Sequence, residues 1–278
     1  MTTVTARDSA TLSTLTFGGV LRSEWIKLRT LRSTVWCFQI LAFLTLAVGV
    51  LVALNTGEEG APQAVQQNIV LQASTAAISF SQLVACVLGV LVISGEYGTG
   101  MIRSTLTAVP RRLPALYAKV IVFGVVTFVV AAVSILVTSL LAAALLAPSG
   151  VYPDLGDGDY WLALVGGATY LALLGVMALA IGAIIRNSAG GIAAALGLVL
   201  VLPGVIQLIG VLIDAKWLQN VAFFLPDQAG RKMFSYGAPN SVTDGIVSLG
   251  NWQGGLVLVG WVVVLLVLAS VLLKRRDV

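Results

Sequence analysis

An all-α polytopic membrane protein with six transmembrane helices is what this chain specifies, and three observations carry that reading. Of its 278 residues, 58% are hydrophobic and only 10% charged. A soluble domain carries roughly 25% charged residues, so this chain has too few polar groups to coat a surface in water. Six stretches hold no Asp, Glu, Lys or Arg and are long enough to span: 34–54, 69–94, 120–147, 160–185, 189–213 and 255–273. A bilayer core of about 30 Å takes about 20 apolar helical residues. The third observation is independent of the other two, because it concerns the segments between the spans. With the N-terminus inside, thirteen of the sixteen cations fall in inside segments: Arg7, Arg22, Lys27, Arg29, Arg32, Arg103, Arg111, Arg112, Lys119, Arg186, Lys274, Arg275 and Arg276. Only Lys216, Arg231 and Lys232 fall outside. That bias predicts both termini in the cytoplasm. The acids lean the other way, with Glu58, Glu59, Asp154, Asp157, Asp159, Asp214, Asp227 and Asp244 outside.

Residues 1–16, rich in Thr, Ser and Ala, read as a disordered tail. A cleaved signal peptide is not expected, since the first apolar run starts only at residue 34 and outruns the usual core of about 7–15 residues. Residues 17–33 read as a helix on the inner membrane surface. Phe17, Leu21, Trp25, Leu28 and Leu31 share one arc, and Arg22, Lys27 and Arg29 lie beside or opposite it. A plain cytosolic extension of the first span is the alternative. The six-helix domain covers 34–273, with a cytosolic helix at 96–109 and an outer segment at 214–254; residues 274–278 form a cytosolic tail. In the fifth span the pairs Gly190, Ala194 and Gly191, Ala195 have the small-residue spacing that lets backbones approach closely in lipid, within one chain or between copies.

Much chemistry is excluded. Histidine is absent, which removes the commonest general base, proton shuttle and metal ligand. Cys37 and Cys86 lie in apolar runs and read as small buried hydrophobes. Neither a GxSxG elbow nor a GxxxxGK[ST] phosphate loop occurs, so the chain is not its own ATPase by that route. Gly156-Asp157-Gly158-Asp159 has the form of an intramembrane aspartyl protease signature, but it falls in an outer loop and no span supplies a second aspartate. It reads as an acidic turn. Charge-free spans also weigh against an ion-coupled carrier, since ionisable residues within spans tend to mark an ion path.

The segment 95–119 carries more information. Ile102, Leu106 and Val109 recur at helical spacing with Met101 alongside, while Arg103 and Thr107 fall on other faces and Pro110 ends the run. A short cytosolic helix with such a stripe must rest on the membrane or insert into a partner. Together with Ser23-Glu24-Trp25-Ile26-Lys27-Leu28-Arg29, the pattern Glu96, Gly98-Thr99, Arg103, Pro110-Arg111-Arg112 and Lys119, the Arg186-Asn187-Ser188 turn and the closing Lys274-Arg275-Arg276-Asp277 run, most of the chain resembles the membrane subunits of type 2 ABC transporters, particularly those of high-GC bacteria.

The resemblance implies a permease subunit of an ATP-driven exporter in the bacterial cytoplasmic membrane, paired with a second permease half as a homodimer and with two copies of a separate ATPase. ATP and magnesium belong to that partner, and this chain holds no cofactor. Residues 96–109 become the coupling helix. Glu96, Tyr97, Arg103 and Arg111 are then contacts on the ATPase, and Met101, Ile102 and Leu106 the apolar insert. Gln72, Thr75, Ser79 and Gln82 follow helical spacing from Asn68 in the second span, either as interhelical hydrogen bonds or as a pathway lining that Gln39 and Gln207 face too. The run Val221-Ala222-Phe223-Phe224-Leu225-Pro226 is apolar enough to dip back into the membrane, and the resemblance implies an external gate there, at Phe223, Phe224 and Pro226. An uncharged lining suits a hydrophobic or amphipathic cargo. An ion-coupled carrier and a non-transporting membrane partner are the competing readings.

Overall fold

The computed structural model describes residues 16–56, 63–109, 112–213, 215–236, 241–243 and 246–275. The tail over 1–15, Pro110, Arg111 and residues 276–278 lie outside the described residues, as does the side chain of Leu106. Helices dominate for a physical reason: in lipid every backbone N–H and C=O must find its partner within the protein. Six of them, or pairs in line, are long and apolar enough to cross a membrane.

Helix α1 (Phe17–Thr30) is capped by the Thr16 hydroxyl, which accepts the Gly19 amide at 3.2 Å. Leu31, extended at ψ 114°, separates it from α2 (Arg32–Asn55). The second span is two helices, α3 (Gln63–Thr75) and α4 (Ile78–Gly98), broken by a turn at Ala76 and Ala77. After it come α5 (Met101–Ala108), α6 (Leu113–Leu146) and α7 (Gly158–Ile185). The fifth span joins α8 (Ser188–Leu196) to α9 (Leu202–Leu212) through a π-helical stretch at Gly197–Val201. Pro203 has no N–H to return to the turn before it, and the widened turn takes up the mismatch. Then α10 (Lys216–Phe223), α11 (Pro226–Arg231) and a 3₁₀ turn at Lys232–Phe234 precede α12 (Asn251–Arg275). Ser241–Thr243 and Ile246–Ser248 pair antiparallel, the one strand pair among the described residues.

The spans alternate in direction, so one end of the bundle gathers α1, α5, Lys119, Arg186 and Lys274, and the other gathers Asp154, Asp157 and Asp159. These are called the basic and the acidic end. Helix α7 is the hub, with 78% of its apolar 18-residue stretch buried against 17% for the one across α8 and α9. Glycine makes that possible. A Cβ on Gly89 of α4 would lie 2.2 Å from the Gly175 carbonyl oxygen of α7, and one on Gly182 would meet Ile93 and Val90 at 2.8 and 3.1 Å. Of the two small-residue pairs in α8, Gly191 and Ala195 are buried, with Gly191 against Val90 and Gly182, while Gly190 and Ala194 face outward. Hydroxyl pairs tie neighbouring helices: Thr45 with Ser81 at 3.0 Å, Ser94 with Ser188 at 2.9 Å, Tyr117 with Ser270 at 3.2 Å, and Ser139 with Tyr160.

Candidate functional site

The basic end holds a compact group of charges drawn from three helices. Lys119 of α6 reaches Glu24 of α1 at 2.5 Å and Glu96 of α4 at 2.8 Å. Lys27 of α1 reaches Glu24 at 2.7 Å and Glu96 at 3.0 Å, and donates to the Thr105 hydroxyl of α5 at 3.2 Å. Two carboxylates and two ammonium groups sum to no net charge, which is what makes their burial tolerable. Glu24, Glu96 and Lys119 are 3%, 4% and 5% exposed. Burial lowers the affinity of Lys27 for its proton. Its hydrogen bond to Glu24 and the charges of Glu96 and Glu24 more than offset that, and its pKa ends above the ordinary lysine value. A cavity of about 20 Å³ adjoins Glu96, Lys119 and Arg112, enough room for one water.

The expected cytosolic helix at 96–109 is corrected in two respects. Glu96 and Tyr97 belong to the last turn of α4, and α5 begins only at Met101, because Gly100 takes the left-handed conformation at φ +72° and ends the preceding helix. Glu96 therefore points into the charged group and does not lie on a surface. Ile102, expected as part of an apolar insert, is 6% exposed and packs inward, as does Val109, which meets Val20, Ala115 and Ala118. The bundle itself supplies the partner that the stripe needed. Met101, Arg103, Ser104 and Thr107 form the exposed side of α5. Tyr97 is half-buried under the Arg186 guanidinium, 5.2 Å from its ring centre. On α1 the arrangement is the reverse of a soluble helix: Val20 and Glu24 are buried, while Phe17, Trp25 and Ile26 are exposed.

A second group lies deeper in the bundle. Asp227 and Arg231 sit one turn apart on α11, with Arg231 Nε 3.0 Å from both Asp227 carboxylate oxygens. Tyr170 of α7 donates to Asp227 at 2.8 Å, and Arg231 donates to Ser79 of α4 at 3.0 Å. With its amide nitrogen toward Asp227 (3.1 Å) and its oxygen toward Arg231 (3.2 Å), Gln82 satisfies both charges at once. Tyr170 lies near the middle of α7, roughly 18 Å in from its first residue at 1.5 Å per residue. A Cβ on Gly230 would overlap the Tyr170 ring at 2.4 Å, and Trp261 of α12 donates to the Phe224 carbonyl at 3.0 Å. Helix α11 thus inserts between α7 and α12. The expected spans keep no charge of their own, but the helices α4 and α6 outrun them to include Glu96 and Lys119, and α11, from the outer segment, carries an acid and a base to mid-bundle depth.

The six residues expected along a pathway do not gather. Ser79 and Gln82 meet α11, and the break at Ala76 and Ala77 separates them from Gln72 and Thr75. Gln39, Gln72 and Gln207 are exposed on α2, α3 and α9, and Thr75 is half-buried, its hydroxyl spent on the Leu71 carbonyl. Of the expected gate residues, Pro226 is buried, Phe223 half-buried and Phe224 exposed. Asp227 and Arg231 went unnoticed as a unit, although Pro226 followed by an acid and a base four residues apart is a helix-start and ion-pair signal.

At the acidic end Tyr236 donates to Asp157. That hydrogen bond, followed by burial and the charges of Asp157, Asp159 and Asp154, pushes its phenol up to about 12. No metal-binding group of acids and cysteines occurs among the described residues. Among the curated proteins no match was found. The family model described as ABC-2 family transporter protein matches residues 19–278, nearly the whole chain. A bundle of six helices long and apolar enough to cross a membrane fits the membrane component of such a transporter, and the chain belongs to the ABC-2 family of transporter proteins.

Proposed function

We propose that this permease subunit forms half of the pathway of an ATP-driven exporter for a hydrophobic or amphipathic compound, and that α5 docks a separate ATPase at the basic end. The bond from Lys27 to Thr105 carries the reading. Through it α5 is tied to the same charged group that joins α1, α4 and α6, so a displacement of α5 is passed on through charge-assisted hydrogen bonds. The docking face is the exposed side of α5, Met101 and Arg103 with Ser104 and Thr107, with Tyr97 and Arg186 at its edge. ATP and magnesium act in the partner, present in two copies. A second copy of this chain completes the pathway, and the thinly buried α8 and α9 give it a face to meet. Exposed, uncharged Gln39, Gln72 and Gln207 suit a cargo without fixed charge. At the other end Phe223, Phe224 and Pro226 make the gate. The protein resides in the bacterial cytoplasmic membrane with its basic end in the cytoplasm, where the bias of its cations favours it and the exposed apolar side of α1 rests on the membrane surface. An ion-coupled mechanism is disfavoured by the saturation of Asp227, whose oxygens already serve Arg231 and Tyr170.

The deciding experiment is co-purification. A Met101→Asp, Arg103→Glu variant alters only exposed positions, so it should insert and fold normally yet lose both the ATPase and transport. Undiminished capture by a well-expressed variant would remove α5 as the docking element. Inverted vesicles test direction: ATP-dependent accumulation is expected, and release would reverse it. A cysteine at Ser104 should react only with membrane-permeant reagents in intact cells and one at Tyr152 with impermeant ones; the opposite pattern would invert the topology.

A further inference from the structure

Between α7 and α12, at the acidic end, lies a groove of about 640 Å³ that the transport reading does not use. Both helices run from the acidic toward the basic end, so their residues report depth directly. Asp159, Asn251 and Trp252 stand at the mouth, and Val165, Leu173 and Val259 line the deeper part. From Asp159 to Leu173 the wall is roughly 21 Å long at 1.5 Å per residue. One leaflet's share of the hydrocarbon core is roughly 15 Å, so the groove runs from headgroup level down the length of one acyl chain. Its volume lies within the roughly 300–1,000 Å³ of built small-molecule sites. The back wall is fixed by close packing: a Cβ on Gly166 would lie 2.0 Å from the Met233 carbonyl oxygen, and Gly255 sits against the Met233 side chain. The groove is therefore a consequence of how the 3₁₀ turn at 232–234 wedges α7 from α12.

The mouth is acidic. Asp159 is exposed in the first turn of α7, and Asp154 and Asp157 precede it within the same turn region. Tyr236 donates a hydrogen bond to Asp157 there. Trp252, 79% exposed beside the mouth, suits the headgroup layer, where indole rings concentrate. An occupant needs an apolar tail and a head that brings positive charge to a carboxylate.

We propose that this groove binds one phospholipid with a primary-amine headgroup in the leaflet at the acidic end, its amine at Asp159 and an acyl chain along Val165, Leu173 and Val259. The site lies away from α5 and does not depend on which compound the subunit transports or on which side the acidic end faces.

Native mass spectrometry of the full-length protein tests it, after exchange into micelles holding equal phosphatidylethanolamine and phosphatidylglycerol. Wild-type protein should retain one phosphatidylethanolamine per chain, in preference to phosphatidylglycerol by about threefold, the scale of one partly exposed ion pair. Asp159→Asn should keep lipid retention and bring the ratio near one. Val259→Trp, at an exposed position on α12, should cut retention of both lipids by about tenfold by filling the tail channel. Thr169→Trp fills the same space from α7 and guards against a local effect of either change. Equal retention of both lipids by wild type, or retention unmoved by both tryptophans, would overturn the proposal. So would a disulfide formed between copies at Leu256→Cys, with lipid lost, since a second chain would then occupy the groove.

Discussion

Two buried groups of charges stand in opposite halves of the bundle, and they are built on different terms. At the basic end, Glu24, Lys27, Glu96 and Lys119 come from three helices, and every bond but the one between Glu24 and Lys27 spans a long stretch of sequence. In the other half, Asp227 and Arg231 are neighbours on one six-residue helix, and what holds that helix to the bundle is neutral: Ser79, Gln82 and Tyr170. Helix α11 can leave with its charge already paired. In the basic group neither α4 nor α6 can leave without stranding a charge, and α1 leaves only by breaking the bonds of Glu24 to Lys119 and of Lys27 to Glu96. The first group is a joint and the second a catch, which suits a docking end and a gating end respectively.

The largest expected effect comes from removing a member of the joint. Lys119→Met leaves Glu24 and Glu96, at 3% and 4% exposure, one cation short, with only the partly exposed Lys27 to serve both. Breaking a buried pair this way costs about 3–5 kcal/mol. Thermal unfolding in detergent should show a large loss, and Lys119→Met combined with Glu24→Gln should recover part of it. A single variant as stable as wild type would mean that water reaches these carboxylates and that the joint is not dry.

The catch should give a smaller and more local effect. Asp227→Asn removes the charge that Arg231, Tyr170 and Gln82 converge on, and hydrogen bonds to charged groups contribute about 1.5–3 kcal/mol. Hydrogen exchange should rise over 216–236 while α1 and α5 stay protected. Equal loosening at both ends would mean that the two groups do not differ in this way. Between the two groups runs the glycine contact of α4 and α7. Gly89→Ala sets a methyl 2.2 Å from the Gly175 carbonyl oxygen, where backbone has to move. Overpacking of this kind costs about 1–3 kcal/mol, and because α4 carries Glu96 of one group and Ser79 and Gln82 of the other, exchange should rise at both ends together.

What the sequence disclosed and what it withheld divide along a physical line. The six spans were legible because length and the absence of charge are properties of one segment alone. Helical periodicity also disclosed that Ile102 of α5 and Val109 just after it turn to one side, but not that Val20 and Ala115 wait for Val109 there. Burial depends on neighbours, and an apolar stripe between two spans reads the same whether its partner is another protein or the chain's own bundle. Glu96 was misread for the same reason. Its partners lie 69 and 23 residues away in Lys27 and Lys119, a pairing that no local pattern encodes. The break at Ala76 and Ala77 had no Pro or Gly to announce it. The pair Asp227 and Arg231, by contrast, was within reach, since its four-residue spacing is local and Pro226 opens the helix that carries it.

The smallest effect on stability should be the most informative about function. Lys27 is the one member of the joint that touches α5, and its side chain is 26% exposed. Lys27→Met leaves Lys119 bonded to both carboxylates, so for a partly exposed pair the loss should be about 1 kcal/mol. The docking face at Met101 and Arg103 is untouched, so the ATPase should still be captured. What goes is the bond that ties α5 to α1 and α4. The expected phenotype is a complex of normal composition that hydrolyses ATP without moving cargo. The pH dependence separates this from a general charge effect. The pKa of Lys27 is raised in the folded state, so its pairing is fully present below the unfolded value of about 10.4 and fades only as pH rises through the folded one. Coupling in wild type should therefore hold flat from about pH 6 to pH 9 on account of this residue, and Lys27→Arg, which keeps the charge, should retain part of it. Full transport by Lys27→Met would show that α5 transmits its motion by packing of Ile102 and Val109 alone, and the joint would be structural only.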